Sequence, residues 1–272
     1  MNKSFFILRA IDGYQMKLDT EHPADELTAY FHLSKKRQHE YPFDQNGKTV
    51  RVDFPAHPIL TKSAGPVDIV YEDAVCIVVN KPPFLLVHND GSHPDNLQDR
   101  VNGYLDQCGW PHPAQAVHRI DYETSGLVLF CKNPFFQSKW DAMMSEHEIR
   151  KEYLCCIHGR LPQKTMTIRK PIGRDRHDAR RMIVQPHGKT AVTHLKQLDG
   201  HLVHARIETG RRHQIRIHLA AIGHPIVNDA LYGKVVDQRG LLLQSSRLVF
   251  THPLTAETID LHLPADPRFQ NH

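Results

Sequence analysis

His118, Arg119 and Asp121 stand directly ahead of Thr124-Ser125-Gly126 and the apolar run Leu127-Val128-Leu129-Phe130. An imidazole, a guanidinium and a carboxylate so close in sequence can support nucleophilic or acid–base chemistry. The apolar run has the length and composition of a buried strand. A glycine-containing turn at its mouth would present one carboxylate rigidly. Asp121 is therefore the candidate for chemistry, and a strand-capping aspartate held by Arg119 is the alternative. A kinase-like HRD loop is excluded: it needs an Asn at position 126, a glycine-rich phosphate loop and a DFG. Position 126 is Gly126 and neither other motif occurs.

A metal centre has no support. The 21 histidines include no HExxH, His213 and His218 are badly spaced for one helix face, and the five cysteines form no CxxC. With no N-terminal secretory pattern, the cysteines point to a reduced, cytoplasmic protein in which they act as small, mostly buried hydrophobes. At 272 residues, 40% hydrophobic and 24% charged, the chain can bury a core as one large domain or two small ones. No apolar run approaches the ~18 residues of a membrane span. The net charge of +4 is unevenly spread. Arg169–Arg181 holds six basic residues against Asp175 and Asp178, and Arg206–Arg216 holds four arginines against Glu208.

Residues 1–66 are polar and punctuated by Pro23, Pro42, Pro55, Pro58 and Pro66. They offer a helix at Ala24–Phe31, a basic patch Lys35-Lys36-Arg37 and a short strand within Gly47–Val52. Ser63–Pro66 makes a junction, leaving 67–272 as the main domain. There the pattern sharpens. Ile69–Tyr71 and Val75–Val79 predict strands, the second ended by Pro82, and Leu85–Val87 predicts extended chain. Leu97, Val101, Tyr104, Leu105 and Cys108 predict one inward helix face, capped by Asp95 or Asn96. Asn133-Pro134 opens a further helix with Phe136, Trp140, Met143 and Met144 inward. Lys151–His158, Val203–Ile207, Leu241–Phe250 and Thr258–Leu263 predict strands. Residues 169–189 predict a loop or irregular hairpin, and Ile215, Leu219 and Ile222 mark a short helix closed by Gly223. Strands outnumber helices and are tightly joined, which predicts an α+β class with a mixed, largely antiparallel central sheet and flanking helices.

Five blocks, VYEDAVCIVVNKPPFLLVH, HRIDYETSGLVLF, RKEYL, TGRRHQIRIHLAAIGHPIVNDALYG and LLLQSSRLVFTHPLT, lie in order across residues 67–264. Together they resemble the RluA family of RNA pseudouridine synthases. Phe84 and Asn228 stand where that family commonly has Gly, and Arg212 where it has Thr or Ser. Many relatives carry a small RNA-binding domain at the N-terminus, so 1–66 is either a packed extension or a degenerate RNA-binding module.

The resemblance implies a central catalytic cleft in which a uridine of folded RNA is detached at N1, rotated and rejoined through C5, with no cofactor and no metal. Asp121 matches the family's essential aspartate, and Arg216 the cation needed to offset burial of a carboxylate. Tyr153 matches the active-site tyrosine, suited to stack on an extruded base and to assist proton removal from C5. Arg119 would contact RNA near the vacated site. His118, Thr124, His213 and Gln214 complete the substrate-binding set. Arg169, Lys170, Arg174, Arg176, Arg180, Arg181, Arg211 and Arg212 would meet the phosphate backbone, a solvated face being the plainer alternative. The expected partner is ribosomal or transfer RNA, met by a monomer. A non-catalytic ribosome-assembly factor or RNA chaperone retaining the fold is the rival.

Overall fold

The computed structural model describes residues 5–91 and 93–270. Ile7–Ile11 (β1), Gln15–Asp19 (β2), Phe43–Asn46 (β3) and Thr49–Asp53 (β4) form an antiparallel sheet in the order β1-β2-β4-β3. Met16, Leu18, Val50 and Val52 are buried between exposed or half-buried neighbours, the period-two pattern of a sheet with one face on a core. Between β2 and β3 lie the expected helix Ala24–Tyr30 (α1) and a second one, Lys35–Glu40 (α2), where the sequence shows only a basic patch. The second helix buries no residue and starts on Ser34, whose hydroxyl accepts from the Arg37 N–H. It has no apolar stripe by which periodicity could reveal it.

This segment shares a core with the chain that follows. Phe31, Tyr41 and Phe54 pack with Leu129, Phe136 and Trp140 in one buried cluster. The rings of Phe31 and Tyr41 lie 4.9 and 5.4 Å from that of Phe135. The Tyr30 hydroxyl donates to the Pro253 carbonyl at 2.8 Å.

The main sheet contains Ile69–Glu72 (β5), Cys76–Lys81 (β6), Gln115–Ala116 (β7), Ser125–Cys131 (β8), Arg150–Cys156 (β9) and Thr165–Arg169 (β10). Past the hairpin Ile172–Arg174 (β11) with Met182–Val184 (β12) it continues as Val192–Gln197 (β13), Leu202–Ile207 (β14), Leu243–Thr251 (β15) and Thr258–His262 (β16). The order is β10-β13-β14-β9-β15-β8-β6-β5, with β16 on β15 and β7 on β8. Its ladders are antiparallel except where β8 meets β15 in parallel, Ser125 opposite Gln244 and Gly126 opposite Ser245. The sheet is thus mixed and largely antiparallel, as expected. At the parallel junction Gly126 has φ of 111°, and a Cβ there would fall 2.2 Å from the Ser245 carbonyl oxygen. No other residue type fits so close an approach at that angle.

Helix Leu97–Gln107 (α3) is capped by Asn96, which accepts from the Asp99 N–H at 3.0 Å. It buries Leu97, Val101 and Leu105, but Tyr104 is only half-buried and Cys108 is exposed. Cys108 falls in the last half-turn, outside the packed face; the other four cysteines are buried as expected. Asn133 caps a 3-10 turn, Pro134–Phe136, that leads into Gln137–Ser145 (α4). Leu85–Val87 forms no strand, only a single bridge from Leu86 to Asn96. Phe84 and Asn228 both adopt left-handed backbone, φ 59° and 62°, which accounts for glycine being common at these positions in the family they resemble. Helix Gln214–Ala220 (α5) has every residue up to Leu219 buried. Among the described residues no helix is long and apolar enough to cross a membrane.

Candidate active site

A cavity of about 480 Å³ opens between the loop 117–124, strand β9, the segment 207–216 and Leu243. Its size suits a nucleoside-scale ligand. Asp121 reaches it from a turn closed by the Thr124 N–H donating to the Asp121 carbonyl at 3.1 Å. Lys81, wholly buried at the end of β6, pins that turn from below. Its Nζ donates to the carbonyls of Tyr122, Leu85 and Pro82 at 3.1, 2.7 and 2.9 Å, one for each ammonium proton. Burial brings the Lys81 pKa down to about 7, against the opposing pull of the Asp121 charge.

Arg216, on α5, is the electrostatic centre. Its Nε and Nη2 each hold an Asp229 oxygen at 2.8 Å, a bidentate pair with both side chains buried. Nη2 also lies 2.9 Å from Glu123, and Nη1 lies 3.8 Å from Asp121 Oδ2. The Arg216 side chain is 2% exposed and that of Asp121 22%, so the guanidinium is a fixed charge behind an accessible carboxylate. Burial, more than the adjacent Asp229 and Asp121 charges, pushes the Glu123 carboxyl up.

Tyr153 and Lys151 project from one face of β9, two residues apart, and both line the cavity. Burial first, and the Asp121 charge second, push the Tyr153 phenol well above its ordinary value. The resting group is an aromatic face with an O–H donor, not a phenolate. Burial brings Lys151 down to about 8. Lys151 is absent from the residues singled out by sequence, although its place two before Tyr153 on a strand is the signal that could have found it. Glu123, Asp229, Tyr232 and Lys81 carry no such local signal, because their roles are contacts.

The other expected residues divide into groups. Arg119 is exposed at the rim and, among the described residues, makes no ion pair with Asp121, whose near neighbours are the Arg216 guanidinium and the His213 imidazole. A capping aspartate held by Arg119 is therefore not what the fold builds. His118 and Thr124 line the cavity, each with a buried polar atom, Nδ1 and Oγ1, lacking a protein partner. His118 Nε2 accepts from the Leu129 N–H at 3.3 Å, and burial brings the ring down to about 3. Gln214 borders the cavity, but its amide is spent on the loop. It donates to Val192 O and Thr193 Oγ1 and accepts from the Thr209 hydroxyl and the Arg211 N–H. Arg211, Arg212 and His213 form one wall.

Arg169, Arg174, Arg176, Arg180 and Arg181 stand outside this cavity. Arg180 is paired with Asp178, and Arg181 lies 5.3 Å from the centre of the Tyr232 ring. Arg174 instead joins His187, Lys189, Arg211 and Arg212 around a neighbouring cavity of about 320 Å³ with no acidic lining residue. Away from both cavities, Asp73, Cys76 and His252 place three possible metal donors within 4.8 Å. The carboxylate among them is already engaged. Asp73 Oδ1 accepts from the Val75 and Cys76 N–H groups, and Oδ2 lies 3.0 Å from His252 Nε2.

Comparison with known proteins identifies the family. Residues 75–221 match the family model of RNA pseudouridylate synthases. YlyB of Bacillus subtilis, named an uncharacterized RNA pseudouridine synthase, is 37% identical over 235 residues, covering 81% of this chain and 77% of its own. Ribosomal large subunit pseudouridine synthase D of Neisseria meningitidis serogroup B is 38% identical over 221 residues, 72% of this chain and 58% of that protein. The solved structure of human RNA pseudouridylate synthase domain containing 1 superposes with a TM-score of 0.63 at 26% identity, covering 78% of this chain and 86% of that one. A carboxylate exposed over a buried guanidinium, a tyrosine beside it and these matches lead to one conclusion: the chain belongs to the RNA pseudouridylate synthase family, and it is an isomerase acting on RNA.

Proposed function

We propose that Asp121 is the catalytic carboxylate for uridine isomerisation, with Arg216 holding its charge and Tyr153 stacking on the extruded base. The observation that carries this is the pairing of an accessible Asp121 with an inaccessible Arg216, 3.8 Å apart in a nucleoside-sized cavity. A carboxylate there can meet either C6 of uracil or C1′ of the ribose. Extruding the base costs a few kcal/mol, which Tyr153 would offset by stacking and the rim residue Arg119 at the vacated position. An isomerisation assay on bulk RNA, wild type against Asp121→Ala, tests this. The variant should be inactive, and equal activity would overturn the assignment.

The cavity lined by Arg174, His187, Lys189, Arg211 and Arg212 is proposed to hold backbone phosphates flanking the target. Support comes from the absence of any lining carboxylate, whereas Arg180 is neutralised by Asp178. The substrate is proposed to be ribosomal RNA, supported by relatives named for the large ribosomal subunit, with the enzyme acting as a cytoplasmic monomer. Residues 67–272 are proposed as the catalytic domain and 1–66 as a buttress. Arg9, Lys48 and Arg51 of that segment are each paired with an acid, Asp19, Glu21 and Asp53.

A further inference from the structure

His213 faces two groups at once. Its Nδ1 lies 2.8 Å from the Tyr232 hydroxyl, and its Nε2 lies 4.0 Å from Asp121 Oδ1. The same hydroxyl accepts a hydrogen bond from the Met182 N–H at 2.8 Å. A phenol has one proton to donate. With Met182 supplying a donor, that proton is directed at His213 Nδ1, which must then carry the lone pair. The opposite tautomer would aim two N–H groups at one oxygen and leave the phenolic proton unspent. Burial pushes the Tyr232 phenol up and brings His213 down to about 4, against the pull of Asp121 and with help from Arg216 and Arg212. The imidazole is thus neutral at pH 7, with its proton on Nε2.

Two further features hold this arrangement. His213 sits in left-handed backbone, φ 56°, at the start of α5, an uncommon conformation for a non-glycine residue and one that concentrates at functional positions. The Tyr232 ring is flanked by the Arg216 and Arg181 guanidinium groups, 5.4 and 5.3 Å from its centre. It is thereby tied both to the carboxylate cluster and to the basic hairpin.

We infer that Tyr232 is a positioning residue that locks His213 as the Nε2–H tautomer, so that the imidazole meets the uridine beside Asp121 as a hydrogen-bond donor rather than as a base. The 4.0 Å gap to Asp121 is too long for a direct hydrogen bond, so the N–H remains available to an oxygen of the bound nucleotide. This donor role rests on the Asp121-centred reading of the cavity.

Long-range ¹H–¹⁵N spectra of the full-length, histidine-labelled free protein read the tautomer directly, with His213 identified by difference against His213→Gln. The expected result is a protonated Nε2 and an unprotonated Nδ1 in the wild type, with the two shifts converging in Tyr232→Phe as the tautomers exchange. A protonated Nδ1 in the wild type, or an unchanged tautomer in Tyr232→Phe, would overturn the inference. In turnover, Tyr232→Phe should lower kcat about tenfold, the worth of roughly one hydrogen bond, while RNA affinity is kept. Should that variant not fold, the pair His213→Gln and His213→Ala carries the test. The glutamine amide restores a donor near Nε2 and should retain the higher kcat, and equal loss in both refutes the donor role. The spectra involve no turnover, so an active Asp121→Ala would remove the Asp121 reading without changing the tautomer result.

Discussion

Arg216 Nη1 stops 3.8 Å short of Asp121 Oδ2, although the same guanidinium holds Asp229 through two 2.8 Å hydrogen bonds. Asp229 therefore sets where the positive charge stands relative to Asp121. In Asp229→Ala the buried guanidinium loses its bidentate partner and is free to collapse onto Asp121. The expected result is a loss of about 3–5 kcal/mol in stability with a fall in kcat, while Asp229→Asn, which keeps one acceptor, should be milder on both counts. Urea unfolding alongside single-turnover kinetics measures the pair. A wild-type kcat in Asp229→Ala would show that Arg216 does not need this anchor.

Tyr153 presents a protonated phenol, since burial and the Asp121 charge both hold the proton on. Its ring should matter more than its hydroxyl. Tyr153→Ala is expected to lose about 1–3 kcal/mol more than Tyr153→Phe, the usual worth of stacking on one base. Pre-steady-state isomerisation rates on one RNA substrate compare them, and a phenylalanine variant as poor as alanine would assign the main task to the O–H.

The basic cavity should appear in the salt dependence of binding. Replacing Arg174, Lys189 or Arg211 by alanine should each lower the slope of log affinity against log salt by about 1 for a full phosphate contact. Arg180→Ala should change it less, because Arg180 is engaged by Asp178. Filter binding over a salt series gives the slopes, and equal effects at all four positions would favour a diffuse charged face.

His118 and His213 are buried neutral, with pKa values brought down to about 3 and about 4. In the unfolded chain each titrates near the ordinary value of about 6.5. Below that pH the unfolded state takes up protons that the native state refuses, so stability is full above about 6.5 and is lost as pH falls toward the native values. At pH 5 each ring should cost about 2 kcal/mol relative to pH 7. Urea midpoints at the two pH values check the sign, and His118→Gln should remove its share of the difference.

Asp121 stood out as a candidate from its own run, charges before an apolar strand, whereas Tyr153 and Arg216 were reached through the resemblance of their blocks to the family. Glu123 and Asp229 did not stand out, because what distinguishes them is a partner across the fold. The hidden elements fail for different reasons. α2 has no apolar face, while β2 and β10 carry an alternation, Met16 with Leu18 and Met166 with Ile168, too short to stand out. Leu85–Val87 has strand composition, but it follows the left-handed Phe84 and bridges only through Leu86 to Asn96.

The parallel contact at Gly126 and Ser245 has a consequence for biosynthesis. Asp121 precedes Ser245 by more than a hundred residues, so a chain emerging from the ribosome carries its acid long before the wall containing Leu243 exists. A chain truncated before β15 would lack the cavity wall at Leu243 and would leave Ser125 and Gly126 of β8 without their parallel partner, an end open to strand addition between incomplete copies.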